Sequence, residues 1–308
     1  MDGPNVWVES RTKPICDVPV MMKGSQPTDG GNFLFSSAEH LEFLKKEPLS
    51  ESLFRPFLGS EEFIKNIPRW CLWLKGISPK IINSLSYVKE RVANVRDMRL
   101  KSPKAVTRKK ADIPFLFDEI RQPENGNYLL VPRHSSERRM YIPLGYISSE
   151  VICGDANLMI PSATLYHFGV LTSSVHMAWM RTVCGRLEMR YRYSANIVYN
   201  NFPWPDIGER GTDNGERGMT TSKSRSDLLF DVSQITQTAQ AILDARALYP
   251  DSSLADLYDP LTMPPELRKA HAANDAAVMK AYGFAPTMTE PEIVADLMRR
   301  YQELTESC

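Results

Sequence analysis

The sequence predicts an α+β protein, in which a mixed α/β domain with short strands is followed by an α-helical region. Before residue 206, short apolar runs bounded by turn residues alternate with helical patterns. From residue 227 onward, apolar residues recur at helical spacing. Residues 206–226 have almost no large apolar side chain, which is typical of a flexible linker or surface loop. We therefore predict a domain over 1–205, a linker over 206–226 and a helical domain over 227–308.

The N-terminal part of the chain is predicted to contain a loop, a capped helix and a buried strand. Residues 1–35 are rich in Pro, Gly and Asp, which favours loops. A helix is predicted over 36–47, because Ser36 can cap it and Glu39 lies three residues further on. Within 60–74, the apolar run WCLWL favours a buried strand over a binding patch.

An amphipathic helix is predicted over 80–100. Its apolar residues recur every three or four positions, at Ile81, Leu85, Val88, Val92 and Val95. The segment 101–111, KSPKAVTRKKA, is predicted to be a basic connector. Short strands are then predicted at 127–133, 139–147 and 157–163.

Further helices are predicted on either side of the polar linker. A helix over 173–184 places Val175, Trp179 and Val183 on one face. The C-terminal helices each have a start or stop signal and lie at 228–249, 264–284 and 289–305.

Composition excludes several classes of protein. The cysteines Cys16, Cys71, Cys153, Cys184 and Cys308 form no C-x-x-C pair and have no His at ligand spacing, which indicates free thiols and no metal site. No run of about 18 apolar residues is present, and the N-terminus has no secretory signal. We expect a cytoplasmic protein with no membrane partner.

The charge of the chain is divided unevenly, although its net charge is zero. From Asp206 onward there are 17 acidic and 10 basic residues, so the preceding part carries the compensating positive charge. The segment Lys89–Lys110 alone holds nine basic residues and two acidic ones. A basic first part favours a polyanionic partner. The alternative is a solvated helix face followed by a basic loop.

Catalytic motifs are absent from the sequence. It has no G-x-G-x-x-G, G-x-x-x-x-G-K-[ST], H-E-x-x-H or G-x-S-x-G pattern, and its five His residues are dispersed. The stretch NNFPWP resembles the loop of amino-methyltransferases only faintly, with the wrong spacing and no preceding glycine-rich turn. The sequence therefore favours a binding surface over an active site.

The stretch GRLEMRYRYS, residues 185–194, alternates polar and apolar side chains, which predicts one strand with two unlike faces. Leu187, Met189, Tyr191 and Tyr193 would anchor it, and the other face would display Glu188, Arg190 and Arg192. An Arg fork matches the acceptors of guanine, and a carboxylate accepts from cytosine. The alternative is a solvated face with weak ion pairs.

A second polar stretch, SSERR at 135–139, follows a predicted strand. Two hydroxyl groups and two guanidinium groups in a turn suit contacts to phosphate.

Several linked motifs together resemble one family. They are KGSQPTDGGN, PRWCLWL, ERVANVRDMR, VPRHSSERRMYIPLGY, HFGVLTSSVHMAWMRTVCGRLEMRYRYSANIVYNNFPWP and LADLYDPLTMPPELRKAH. The chain resembles, over nearly its whole length, the C-terminal portion of MmeI-like type II restriction–modification DNA methyltransferases. In that family an N6-adenine methyltransferase domain precedes a target-recognition domain and a helical region. The resemblance implies a fragment that recognises double-stranded DNA, and whose S-adenosylmethionine and methyltransferase motifs lie in another domain.

The resemblance also implies roles for individual residues. Base-reading residues would work in pairs, with Glu188 beside Arg190, Arg192 beside Ala156, and Asp155 beside Arg133. Contacts to the DNA backbone would come from Ser135, Ser136, Arg138, Arg139, Lys101, Lys104, Arg108, Lys109 and Lys110. We expect the chain alone to bind no S-adenosylmethionine or metal and to have no catalytic residues, and we expect its acidic helical tail to pack against protein.

Two alternatives stay open at this point. A protein–protein interaction scaffold with a non-specific basic surface would show no salt-dependent DNA binding. A standalone enzyme with an unrecognised site would bind a cofactor tightly.

Overall fold

The computed structural model describes residues 6–206 and 225–306, with side chains described from residue 231 onward in the second range. It divides into two compact units. The sheet unit comprises Met22–Leu130 and Tyr146–Met159, and the helical unit comprises Met1–Met21, Val131–Gly145 and Ile160–Cys308. Domain boundaries at 205 and 227 stay a prediction, and residues 207–224 of the predicted linker lie outside the described residues.

Short strands and helices are mixed before residue 206, and only helices occur in the described chain after residue 224, which confirms the α+β class. The strands are β1 Met22–Lys23, β2 Leu34–Ser36, β3 Phe54–Leu58, β4 Arg69–Leu72, β5 Asn127–Pro132, β6 His134–Ser135, β7 Gly145–Ser148, β8 Ile152–Cys153, β9 Asn157–Pro161, β10 Gly185–Leu187 and β11 Arg190–Arg192. The helices are α1 Ser37–Lys46, α2 Ser60–Lys65, α3 Pro79–Ser84, α4 Ser86–Leu100, α5 Ala105–Lys109, α6 Leu165–Leu171, α7 Ser174–Val183, α8 Arg225–Ala247, α9 Leu254–Leu257, α10 Pro265–Tyr282 and α11 Glu290–Glu306.

These strands form three small sheets. One has the order β2-β4-β3-β8, in which β3 and β8 are parallel and the other pairs are antiparallel. The second has the order β1-β9-β5-β7, and the third has the order β10-β11-β6. Of the predicted strands, those at 127–133 and 157–163 are confirmed as β5 and β9.

The capped helix and the buried strand of the sheet unit are also confirmed. The Ser36 hydroxyl accepts from the Glu39 amide at 3.3 Å, and the Glu39 carboxylate accepts from the Ser36 amide at 2.8 Å. Cys71 and Leu72 of β4 are fully buried between β2 and β3. Because this run is buried on both sides, its sequence does not alternate between apolar and polar side chains.

The single helix predicted over 80–100 is wrong, because α3 ends and α4 begins at Leu85, which has an extended backbone. The Glu47 carboxylate accepts from the amides of Tyr87 and Val88, at 3.2 and 2.9 Å, and so caps α4. This cap comes from a residue distant in sequence, which periodicity does not reveal. The core face is nevertheless largely as predicted, because Val88 and Val95 are fully buried.

In the helical unit, α8 and α10 pack against each other, α8 packs on α6, and α11 packs on α7. The three predicted C-terminal helices are confirmed, and their expected packing against protein rather than DNA stays a prediction. A Cβ on Gly169 of α6 would lie 2.7 Å from the Ile235 side chain, so this glycine permits the close approach of α6 and α8. Asn274 of α10 donates to the Gly169 carbonyl at 2.8 Å.

The strand predicted at 139–147 is largely wrong, because β7 begins only at Gly145. Tyr141, Ile142 and Leu144 are buried in irregular backbone. Pro143 has no amide hydrogen for a strand ladder. Apolar alternation in this segment therefore reflects burial by packed helices and not a sheet.

Candidate nucleic-acid interface

Residues 185–194 form a β-hairpin and not the single strand predicted. Strands β10 and β11 pair antiparallel with Leu187 opposite Arg190, so Glu188 and Met189 form a two-residue turn. Glu188 has a φ of 56°, as the first position of such tight hairpin turns requires. Neither turn residue is Gly, Asn or Asp, so the sequence contained no turn signal.

The hairpin changes which residues anchor this stretch. Tyr191 and Tyr193 are buried at 5% and 2% exposure, as predicted. Leu187 and Met189 were also predicted to be anchors, which is wrong, because they are 44% and 70% exposed. The Arg186 guanidinium lies 4.3 Å from the centre of the Tyr191 ring and covers it.

Glu188 and Arg190 form an ion pair at the tip of the hairpin. Arg190 Nη2 lies 2.9 Å from Glu188 Oε2, and both side chains are more than half exposed. An exposed pair of this kind contributes at most about 1 kcal/mol. The carboxylate of Glu188 and the guanidinium of Arg190 are therefore available to leave this ion pair and form hydrogen bonds with a ligand.

Strand β6 joins the hairpin as a third strand. Tyr191 lies opposite Ser135, Arg192 lies opposite His134, and the Tyr193 amide donates to the Arg133 carbonyl at 2.8 Å. Burial, followed by the positive charges of Arg133, Arg192 and Arg190, lowers the pKa of His134. Three of the predicted base-reading residues therefore lie close enough to His134 for their charges to lower its pKa.

The predicted phosphate-binding turn follows β6 directly. The Ser136 hydroxyl accepts from the Arg138 amide at 3.3 Å, and the Ser136 carbonyl accepts from the Arg139 amide at 3.2 Å. Arg138 is exposed, whereas Ser135 is only 3% exposed. Burial lowers the pKa of Arg139, and the charge of Asp259 opposes this effect. Ser136 and Arg138 are thus the accessible members of this predicted set.

Side chains of three helices hold the segment after this turn. Tyr141 donates to the Asp275 carboxylate of α10 at 2.6 Å, and Arg181 of α7 donates to the Met140 carbonyl at 3.1 Å. Arg246 of α8 donates to the Leu144 carbonyl at 2.5 Å. The helices thereby fix the backbone that leads from the Arg138 turn.

In the sheet unit, Asp155 and Ala156 are the central residues of a β-turn. The Gly154 carbonyl accepts from the Asn157 amide at 3.0 Å, which closes the turn. Ser60 donates to the Ala156 carbonyl at 2.6 Å, and the Asn157 side chain donates to the Leu58 carbonyl at 2.9 Å. Neighbouring elements therefore hold the turn, with the Ala156 side chain exposed.

The basic segment of the sheet unit has both structural and exposed members. Arg99 is fully buried and donates to five backbone carbonyls, those of Pro27, Thr28, Lys110, Ile113 and Leu116. Lys110 donates to the Asp118 carbonyl at 2.9 Å, and Arg108 donates to the carbonyls of Ser102 and Pro103. Lys101, Lys104 and Lys109 are exposed. The predicted basic connector contains two short helical segments, which are α5 and a 3-10 turn over Lys110–Asp112.

Two family models match consecutive parts of the chain. The MmeI target recognition domain matches residues 2–206, and the MmeI C-terminal domain matches residues 230–308. The chain belongs to the MmeI family. This confirms the resemblance seen in the sequence motifs.

Two relatives of the MmeI-family chain support this assignment. DNA methyltransferase A of Bacillus subtilis (strain 168) is 36% identical over 305 residues, which cover 99% of this chain and 32% of that protein. A solved structure of the Type IIL restriction-modification enzyme MmeI in complex with DNA is 44% identical, with a TM-score of 0.88. It covers 99% of this chain and 38% of that one. The chain thus spans about a third of the length of these relatives.

The predicted base-reading pairs of this MmeI-family chain have different positions in the fold. Glu188 and Arg190 are paired within the helical unit. Arg192 and Arg133 belong to that unit, whereas their predicted partners, Ala156 and Asp155, belong to the sheet unit. The first pair is therefore present in the structure as a contact, and the base-reading role of all three pairs stays a prediction.

Sequence reasoning gave no role to His134 or Arg186. Register against Arg192 places His134 on the exposed face of the sheet, whereas Arg186 lies on the opposite face, over the ring of Tyr191. Both placements follow from strand pairing, which has no local signal in the sequence.

Among the described residues, no group of three or more His, Cys, Asp or Glu side chains could hold a metal ion. No described helix is long and apolar enough to cross a membrane.

Proposed function

We propose that this chain is the DNA sequence-recognition module of a longer, cytoplasmic adenine-N6 DNA methyltransferase of a restriction–modification system. The observation that carries the proposal is the exposed Glu188–Arg190 pair at the tip of a hairpin, followed by Arg192, in a chain of the MmeI family. Guanidinium and carboxylate groups that project from a narrow hairpin can form hydrogen bonds with base edges in a major groove.

In this proposal the base-reading residues are Glu188, Arg190, Arg192, Arg133, Asp155 and Ala156. Ser136, Arg138, Lys101, Lys104 and Lys109 have the exposure that contact with phosphate requires. Arg108 and Lys110 would act mainly by holding the backbone of their segments, because each donates to nearby carbonyl groups. Ser135 is buried and Arg139 is partly buried, so both are less accessible to phosphate. S-adenosylmethionine and the flipped adenine would be held by the methyltransferase domain of the longer protein.

An exchange of charges tests the proposal. We expect the complete enzyme with E188R and R190E to keep its methylation activity but to modify a sequence that differs at one base pair. The reason is that donors and acceptors at the hairpin tip are interchanged. Mapping of methylated adenines in DNA from cells that carry the variant gene measures the outcome.

The matched control exchanges another exposed ion pair of similar length, Glu42 and Lys45 on α1, as E42K and K45E. This control should leave the modified sequence unchanged. Unchanged sites in the hairpin variant, with activity retained, would show that the pair does not read bases. Absence of salt-dependent DNA binding by the complete enzyme would instead favour an interaction scaffold.

A further inference from the structure

His134 shares the exposed face of the three-stranded sheet with Arg192. Directly opposed residues of an antiparallel pair lie side by side on one face, and the register places these two opposite each other. The neighbouring pair, Tyr191 and Ser135, faces the interior and is buried. His134 is partly exposed. Its imidazole therefore lies beside a candidate DNA-binding guanidinium.

The charges around His134 are positive. Arg133 on its own segment and Arg190 and Arg192 on β11 all lower the pKa of the ring, in addition to burial. No carboxylate of the described residues contributes to this pKa shift, and the nearby Glu188 is paired with Arg190. Among the described residues, no hydrogen bond contributes to the pKa of the His134 ring. In the free protein, burial and three nearby cations thus disfavour the protonated form of the His134 imidazole.

We propose that His134 is a further DNA-contacting residue of this face, and that it takes up one proton from solvent when a phosphate of the bound duplex reaches its ring. The inference rests on the proposed function. A phosphate brings negative charge to a group that only cations now surround, and so favours the imidazolium form. A neutral base edge would not supply that charge, which is the reason to assign a phosphate.

Thermodynamic linkage between protonation of His134 and DNA binding determines the direction of the pH dependence. A pKa that is higher in the complex than in the free protein makes binding tighter as pH falls through the interval between the two values. Below the pKa of the free protein both states are protonated, and the affinity becomes constant. Above the pKa of the complex neither state is protonated, and His134 contributes no charge.

The test measures the affinity of the complete enzyme for a duplex that contains its site, from about pH 6 to about pH 8.5. We expect the wild type to bind more tightly at the lower end of this range, and the full gain, reached below the pKa of the free protein, is about tenfold for a shift of one pKa unit. H134Q, which stays neutral, should bind with little pH dependence at the weaker level. H134K, which stays charged, should bind with little pH dependence at the tighter level.

A salt titration gives a second readout that loss of packing would not produce. At about pH 6 the slope of log affinity against log salt should be steeper in the wild type than in H134Q by about one neutralised phosphate, and the slopes should coincide at about pH 8.5. The inference is overturned if H134Q or H134K retains the pH dependence of the wild type. The proposed function itself fails if the wild type does not distinguish its site from an unrelated duplex at any pH.

Discussion

Gly154 shows how a single residue positions a candidate base-reading turn. A Cβ at this position would lie 2.4 Å from Cζ of Phe57, a buried residue of the sheet unit's core. The amide of Gly154 also donates to the Leu58 carbonyl at 2.9 Å, one residue before Asp155. The absence of a side chain therefore allows this turn to lie directly on β3.

Substitution of Gly154 should disturb both stability and the turn. We expect G154A to lower the free energy of unfolding by about 1–3 kcal/mol, because the added methyl group meets a ring that close packing holds in place. Urea denaturation of the chain measures the change. G185A is the matched control, because no atom lies within 4 Å of its new Cβ. Equal stabilities of the two variants would contradict the packing argument.

At the scale of elements, the link between residues 139–144 and the helices depends on a buried carboxylate. Asp275 of α10 accepts from Tyr141 and from the Ser174 amide, at 2.6 and 2.7 Å. Burial raises the pKa of Asp275 to about 6, although these hydrogen bonds oppose the rise. The contact between the segment and the helix is therefore sensitive to pH.

The free energy of unfolding should fall as pH rises, because the buried Asp275 carboxyl group becomes charged. Because the folded pKa exceeds the unfolded value, the contribution of the protonated group is complete below about pH 4 and is lost through about pH 6. We expect the wild type to lose about 1–3 kcal/mol relative to D275N between about pH 4 and about pH 8. Urea denaturation of both proteins across this range measures the difference. A difference that does not vary with pH would contradict the burial argument.

At the scale of the whole molecule, the helical unit combines three separate segments of the chain. Phe168 and Gly169 of α6 are buried, and α6 packs against α8, which lies beyond residue 224. Trp179 of α7 is fully buried and lies 5.9 Å from the Tyr301 ring of α11. The residues of 160–205 therefore share a core with the C-terminal helices.

This shared core predicts that residues 1–206 do not fold normally alone. Without the helices, the faces of α6 and α7 would be exposed to water, and a buried apolar side chain contributes about 1.5–3 kcal/mol. We expect the fragment to lack a cooperative thermal transition and to regain it when the fragment 225–308 is added. Calorimetry of the fragment, the mixture and the full chain measures this. A fragment that melts like the full chain would show that the predicted boundary separates two independent domains.

Sequence alone determined much of the helical structure. The Ser36 cap and the periodic apolar residues of the C-terminal helices depend on local spacing, and the structure has these elements close to their predicted bounds. The local sequence pattern did not predict the structure where a residue distant in sequence determines the backbone conformation. Examples are Glu47, which caps α4, and Arg246, which holds the carbonyl of Leu144.

For the candidate site, the sequence predicted which residues read bases, because Glu188, Arg190 and Arg192 lie in one of the motifs that resemble the family, and that role stays a prediction. Only the tertiary structure decided their geometry. Strict alternation predicts one long strand with all its apolar side chains on one face. The two-residue turn reverses the alternation, so that Leu187 shares a face with Arg190 and becomes exposed, whereas Arg186 shares a face with the buried Tyr191. Pairing of β11 with β6 then adds the third strand. Such long-range contacts leave no local signal in the chain, and they are also what places His134 beside Arg192.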